Sequence, residues 1–208
     1  MQKINLLLSL CLFSTLVQSQ EWNFDVFLDK QKIGTHSFKL NENNVLQSNA
    51  KFKVKVLFIN AYDYLHSAEE SWSNDCLTSL KANTVENKQV FDVSGTKTGQ
   101  SFDVTMNKKS QQLPECTMTF AYWNPKILKQ AKLLNPQNAE YLDTNIQSMG
   151  NETIQVKGRP IEATHYKLMG ALAGKNKLNI DLWYNKNNEW VALKSTTPEG
   201  YEINYKLK

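Results

Sequence analysis

Three histidines occur in the chain, His36, His66 and His165, and His66 is the one with carboxylates close behind it, Glu69 and Glu70. In an extended segment successive side chains alternate, so His66 and Glu70 share a face and Glu69 points away. In a helix the same two residues stand one turn apart, a spacing at which imidazole and carboxylate can share a metal ion. A hydrolase-type or metal-dependent enzyme using His66 and Glu70 is therefore one reading. Structural polar pairs on strands are common, and that reading of the pair carries more weight. Other chemistries lack their motifs: no Gly-x-Ser-x-Gly elbow, phosphate loop or dinucleotide fingerprint is present. No cofactor is implied.

The second group with chemical potential is aromatic. Tyr62 and Tyr64 lie in the stretch YDYLHSAEESW, and Phe120, Tyr122 and Trp123 in FAYWNP. A curved antiparallel sheet lined by such residues and covered by a helix can hold an apolar or lipid-like ligand. On this reading Tyr62, Tyr64, Phe120, Tyr122, Trp123 and Leu128 are its walls. The same residues can instead fill an ordinary core, and the two readings stand close to balance.

The elements that position these residues are mostly strands. Trp22, Phe24, Val26 and Leu28 alternate with polar residues, and so do Tyr201, Ile203, Tyr205 and Leu207 at the other end. Between them Phe52, Val54, Val56 and Phe58 oppose Lys51, Lys53 and Lys55, with Leu57 and Ile59 turning the second face apolar. Turns are expected at Asp29–Lys32, Glu86–Lys88 and Lys157–Pro160, and a lysine-rich loop over Asn107–Pro114. Cys116 to Gln137 reads as the exception. Asn124 is a good N-cap, Pro125 suits the first helical position and Pro136 forbids continuation. Ile127, Leu128, Ala131 and Leu134 then share a face, which predicts a three-turn helix over Pro125–Asn135. Trp123 would fold over Leu128 as a staple. The expected fold is mainly β: a curved antiparallel sheet or partial barrel covered by one short helix.

Residues 1–19 read as a secretory signal peptide: Lys3, then an apolar run from Ile4 to Val17, then small residues before Gln20. That run is too short for a comfortable membrane span. Residues 20–208 then form a single domain, exported to a periplasmic or secreted location, with no transmembrane segment. The chain carries 24 Lys+Arg against 20 Asp+Glu, a net charge of +4 that falls to +3 when Lys3 is removed. Its lysines are scattered and Arg159 is the sole arginine, which argues against nucleic acid and is compatible with weak association with an anionic membrane surface. Cys76 and Cys116 survive processing; in an oxidising compartment an even pair is most simply a disulfide.

Phe27-Leu28-Asp29, Ile33-Gly34-Thr35-His36, Tyr62-Asp63-Tyr64-Leu65-His66 with Glu70 and Trp72, Phe120 to Pro125 and Leu133 to Gln137 together resemble an uncharacterised family of exported bacterial proteins, domain-of-unknown-function family 6134. Asn138-Ala139 stands where the family pattern leads one to expect Thr-Gly. The resemblance covers nearly all of the mature chain and brings no activity with it. Its sheet-plus-helix pattern is similar to exported half-barrel proteins that shuttle lipids, an analogy of fold alone. The leading functional expectation is a non-enzymatic binder or carrier of an apolar ligand in the cell envelope. The enzyme on His66 and Glu70 stands second, and a structural envelope assembly partner third.

Overall fold

A computed structural model describes residues 19–56, 59–197 and 199–208. Residues up to 18, most of the stretch read as a signal peptide, lie outside the described residues, as do Leu57-Phe58 and the side-chain burial of Ile59, so the second apolar face expected at Leu57 and Ile59 does too. The first half of the chain is a meander: β1 (Gln20–Leu28), β2 (Gln31–Leu40), β3 (Val45–Val56), β4 (Ile59–Ser73), β5 (Cys76–Glu86), β6 (Gln89–Thr98), β7 (Ser101–Met106) and β8 (Lys109–Pro114). The second half is another: β9 (Lys132–Leu134), β10 (Tyr141–Val156), β11 (Arg159–Leu172), β12 (Lys175–Asn185), β13 (Trp190–Thr196) and β14 (Glu202–Leu207). The two join where β1 pairs antiparallel with β14, Val26 opposite Tyr205. Among the described residues all 14 strands thus make one open sheet, running from β8 through β1 and β14 to β9.

Local chemistry explains the tight connections. Asn74-Asp75, Asn87-Lys88, Asn107-Lys108, Lys157-Gly158 and Ala173-Gly174 all take positive φ at both turn positions. That geometry matches the right-handed twist of the flanking strands, and Asn and Gly tolerate it best. Gly34 is required for another reason: a Cβ there would lie 1.9 Å from the carbonyl oxygen of Lys51 on the neighbouring strand. The stretch expected as a lysine-rich loop is in fact the turn and second strand of the β7–β8 hairpin. Its second strand, KSQQLP, buries only Leu113, so an edge strand with one inward residue shows no alternation to read.

The expected helix is the main correction. Asn124 caps it as anticipated, its side chain accepting from the Lys126 N–H at 3.0 Å, and Pro125 takes the first position. The helix is nevertheless a five-residue 3-10 helix, Pro125–Lys129, and Lys132–Leu134 is strand. Thr144 of β10 explains the early stop. Its N–H reaches the carbonyl of Ala131 at 2.8 Å, and its hydroxyl that of Gln130 at 2.6 Å. Those carbonyls are taken by the sheet, and a helix so short has little to set against that.

Residues 115–131 form a strap that crosses from β8 to β9. Thr119 makes a parallel bridge to Leu134, and the carbonyl of Thr117 accepts from Leu77 N–H at 3.0 Å. The Cys76–Cys116 disulfide, with Cα atoms 4.8 Å apart, pins the strap's start to β5. Asn124 Nδ2 donates to Asp75 Oδ1 at 2.9 Å. The strap drives Met118, Ala121 and Ile127 into the core beside Phe24, Trp190 and Leu134. Trp123 meets Trp72 edge to face at 5.6 Å, and Leu128, expected on the buried stripe, is only half buried beside the fully enclosed Ile127.

Candidate functional site

The strap fills one end of the concave face. The other end stays hollow. Along β4 the inward residues are Tyr64, His66, Ala68 and Glu70, all buried, while Leu65 on the opposite face is half exposed. The extended alternative for His66 and Glu70 is therefore the one realised, with about 13 Å of strand between their Cα atoms at 3.3 Å per residue. The helical, metal-spacing alternative does not occur. Among the described residues no group of three or more His, Cys, Asp or Glu side chains could hold a metal ion.

His66 and Glu70 belong to a polar layer between core and hollow. His66 Nδ1 is 2.9 Å from Thr84 Oγ1. Glu70 Oε2 accepts from the Thr119 hydroxyl of the strap at 3.0 Å. His36, on β2, sets Nε2 2.8 Å from Ser48 Oγ and Nδ1 3.3 Å from Tyr205 Oη. Burial governs the ionisation of all three. It lowers His66 to about 4. It lowers His36 well below 6.5, with the neighbouring His66 adding to the effect. It raises Glu70 to about 7, opposed by the Thr119 hydroxyl and by the Trp72 indole N–H. That indole faces the carboxylate from outside hydrogen-bond geometry. At neutral pH both imidazoles are uncharged. The space they enclose, with Phe120 and Trp123 among its walls, is about 100 Å³, room for a few waters and no substrate.

Beyond His36 the hollow opens into a cavity of about 590 Å³. Its apolar walls include Phe52 and Val54 of β3 and Ile180, Leu193 and Ile203 of β12, β13 and β14. Five tyrosines add their rings: Tyr62, Tyr64, Tyr205, from the strap Tyr122, and at the exposed rim Tyr201. Phe52 stacks on Tyr64 at 5.1 Å and Tyr62 on Tyr64 at 6.2 Å, so these rings form a continuous aromatic wall. His36, Tyr122, Gln137 and Leu178 line both this cavity and the small polar space, so the two adjoin.

The candidate residues therefore divide. Tyr62, Tyr64 and Tyr122 face the larger cavity, Phe120 and Trp123 the small one. Leu128 lines neither and packs on the core. Sequence patterns did not single out His36 and Tyr205 as partners. They stand 169 residues apart in the chain and meet only because β1, the neighbour of β2, pairs with β14, which no local signal encodes.

An open, barrel-like antiparallel sheet with a strap between its edges and an aromatic cavity in its concave face defines an architectural class, not a reaction. Within that class the chain belongs to the family described as Domain of unknown function (DUF6134), whose model matches residues 24–208. No curated protein matches the sequence. Among solved structures the fold is similar to the crystal structure of a beta-barrel-like protein of Domain of Unknown Function DUF1849 from Brucella abortus. The TM-score is 0.65 at 12% identity, over 90% of this chain and 94% of that one.

Proposed function

We propose that this protein is a non-enzymatic binder or carrier of an apolar, lipid-like small molecule, working in an oxidising compartment of the cell envelope. The observation that carries the reading is the cavity of about 590 Å³ walled by aromatic and branched side chains. Its size falls within the usual range for small-molecule sites, and apolar walls with a few polar groups are the usual composition. The Cys76–Cys116 disulfide supports the compartment, since such bonds persist where thiols are not kept reduced. Among the described residues no helix is long and apolar enough to cross a membrane. The enzymatic alternative draws little support from the site: His66 and Glu70 face a space too small for a substrate, and each is already engaged by a threonine hydroxyl.

Titration with the uncharged fluorophore N-phenyl-1-naphthylamine tests the reading. Wild-type protein takes it up with micromolar to millimolar affinity, about −4 to −8 kcal/mol. Ser195 lines the cavity from β13, opposite Ile180 and Ile203, so Ser195→Trp places an indole inside it. That variant should lose the uptake. Equal uptake by Ser195→Trp and wild type would remove the cavity as the site.

A further inference from the structure

We infer that the ligand of this cavity carries an uncharged, carbonyl-type acceptor, held by the phenol groups of Tyr64 and Tyr122. The inference rests on the binding reading above and specifies which chemistry that site selects.

Of the five tyrosines on the cavity, Tyr201 is exposed at the rim, and two of the four enclosed hydroxyls have partners. Tyr62 Oη donates to Glu86 Oε1 at 3.0 Å, and Tyr205 Oη lies 3.3 Å from His36 Nδ1. The hydroxyls of Tyr64 and Tyr122 have no partner among the described residues, although Tyr122 does lend its backbone carbonyl to Tyr184 Oη at 2.7 Å. Neither phenol oxygen is among the sealed atoms left without a partner, so both keep an open side. Both residues line the cavity, Tyr64 from the sheet and Tyr122 from the strap where cavity and polar space adjoin, so the phenols open onto that joined hollow.

Burial pushes the phenols of Tyr62, Tyr64, Tyr122 and Tyr205 upward from their ordinary value; Tyr205 adds to the effect on the other three, and the Glu86 carboxylate to that on Tyr62 and Tyr64. All four stay protonated at any physiological pH and act as donors. A hydrocarbon would fill the space but strip two donors of the water they otherwise hold, and unmet buried donors are costly. An anionic head would find no lysine or arginine on the walls, where Glu86 and Glu199 stand instead. A cationic head would have to compete with Tyr62 for Glu86, the enclosed carboxylate, since Glu199 is exposed at the rim and already solvated. A neutral acceptor at the end of, or within, an apolar body satisfies the phenols without burying a charge.

The test displaces N-phenyl-1-naphthylamine with 2-undecanone, undecane or decanoate at pH 8, using the full chain and its Tyr64→Phe/Tyr122→Phe variant. Comparing the two proteins cancels the different hydrophobicities of the competitors. The affinity ratio of ketone over alkane should fall about tenfold in the variant, the worth of a buried hydrogen bond or two. Tyr122→Phe alone, read in the same way, carries the test if the double variant does not fold. An unchanged ratio with normal probe uptake overturns the acceptor inference while leaving the binding reading intact. A loss confined to decanoate overturns it in favour of a charged head. Absence of probe uptake by wild-type protein overturns both.

Discussion

Glu70 offers a perturbation whose size follows from the structure. Its carboxyl is buried, meets the Thr119 hydroxyl and is raised from 4.5 to about 7. Below pH 4.5 the group is protonated in folded and unfolded chains alike, and its contribution to stability is fully present. Between that pH and the folded value the unfolded chain ionises freely and the folded one does not. Stability contributed by this group is therefore lost between about pH 4.5 and 7. At about 1.4 kcal/mol per pH unit, the loss reaches ~3 kcal/mol. His66, lowered to about 4, has the opposite sign: its contribution is present above 6.5 and lost as the pH falls. His36, also lowered, acts in the same direction. A wild-type pH profile alone would blend these effects. The variant Glu70→Gln keeps an oxygen for Thr119 and removes only the carboxyl titration, so the histidines cancel in the difference. Urea unfolding of both proteins at pH 4.5 and pH 8 should show the variant gaining roughly 1–3 kcal/mol on wild type between the two. A difference constant within about 0.5 kcal/mol would mean that Glu70 ionises normally, and that the polar layer is wet rather than buried.

Three further outcomes follow from the same geometry. Cys76 and Cys116 should resist thiol reagents in denatured, unreduced protein, and reduction should cost about 4 kcal/mol for a closed loop of 40 residues; labelling without reductant would contradict the bridge. Ile127→Ala should cost about 2–5 kcal/mol in urea melts, because that side chain is fully enclosed, whereas exposed Lys129→Ala should stay within about 0.5 kcal/mol; equal costs would mean the strap is not docked as described. His66→Ala should bind N-phenyl-1-naphthylamine within about twofold of wild type, since His66 faces the small polar space and not the larger cavity; a tenfold loss in a folded variant would move the site into the polar layer.

How much of this was legible depended on whether burial was one-sided. β1 and β14 each present one apolar face, and their alternation gave both their existence and their inward residues, Phe24 and Val26 among them. β8 and β9 escaped because neither alternates: one is a nearly all-exposed edge, the other three residues whose fate is set by Thr144 on the next strand, β10. The local capping signals at Asn124 and Pro125 were read correctly, but they start a helix without fixing its length. The aromatic walls Tyr62, Tyr64 and Tyr122 could be picked out from their own stretches. The split between filled core and hollow could not, because it arises from the strap occupying only one end of the concave face. The polar layer of His36, Ser48 and Tyr205 likewise depends on register between strands far apart in the chain.

Native mass spectrometry of the protein purified from its own source, without detergent or denaturant, tests the binding proposal most directly. Wild-type protein should carry a noncovalent adduct of small-molecule mass that organic extraction releases, and Ser195→Trp expressed in the same source should arrive without it. An adduct retained in full by Ser195→Trp, or wild-type protein of bare mass that also takes up no apolar probe, would contradict the proposal and leave the hollow end of the sheet as a purely structural feature.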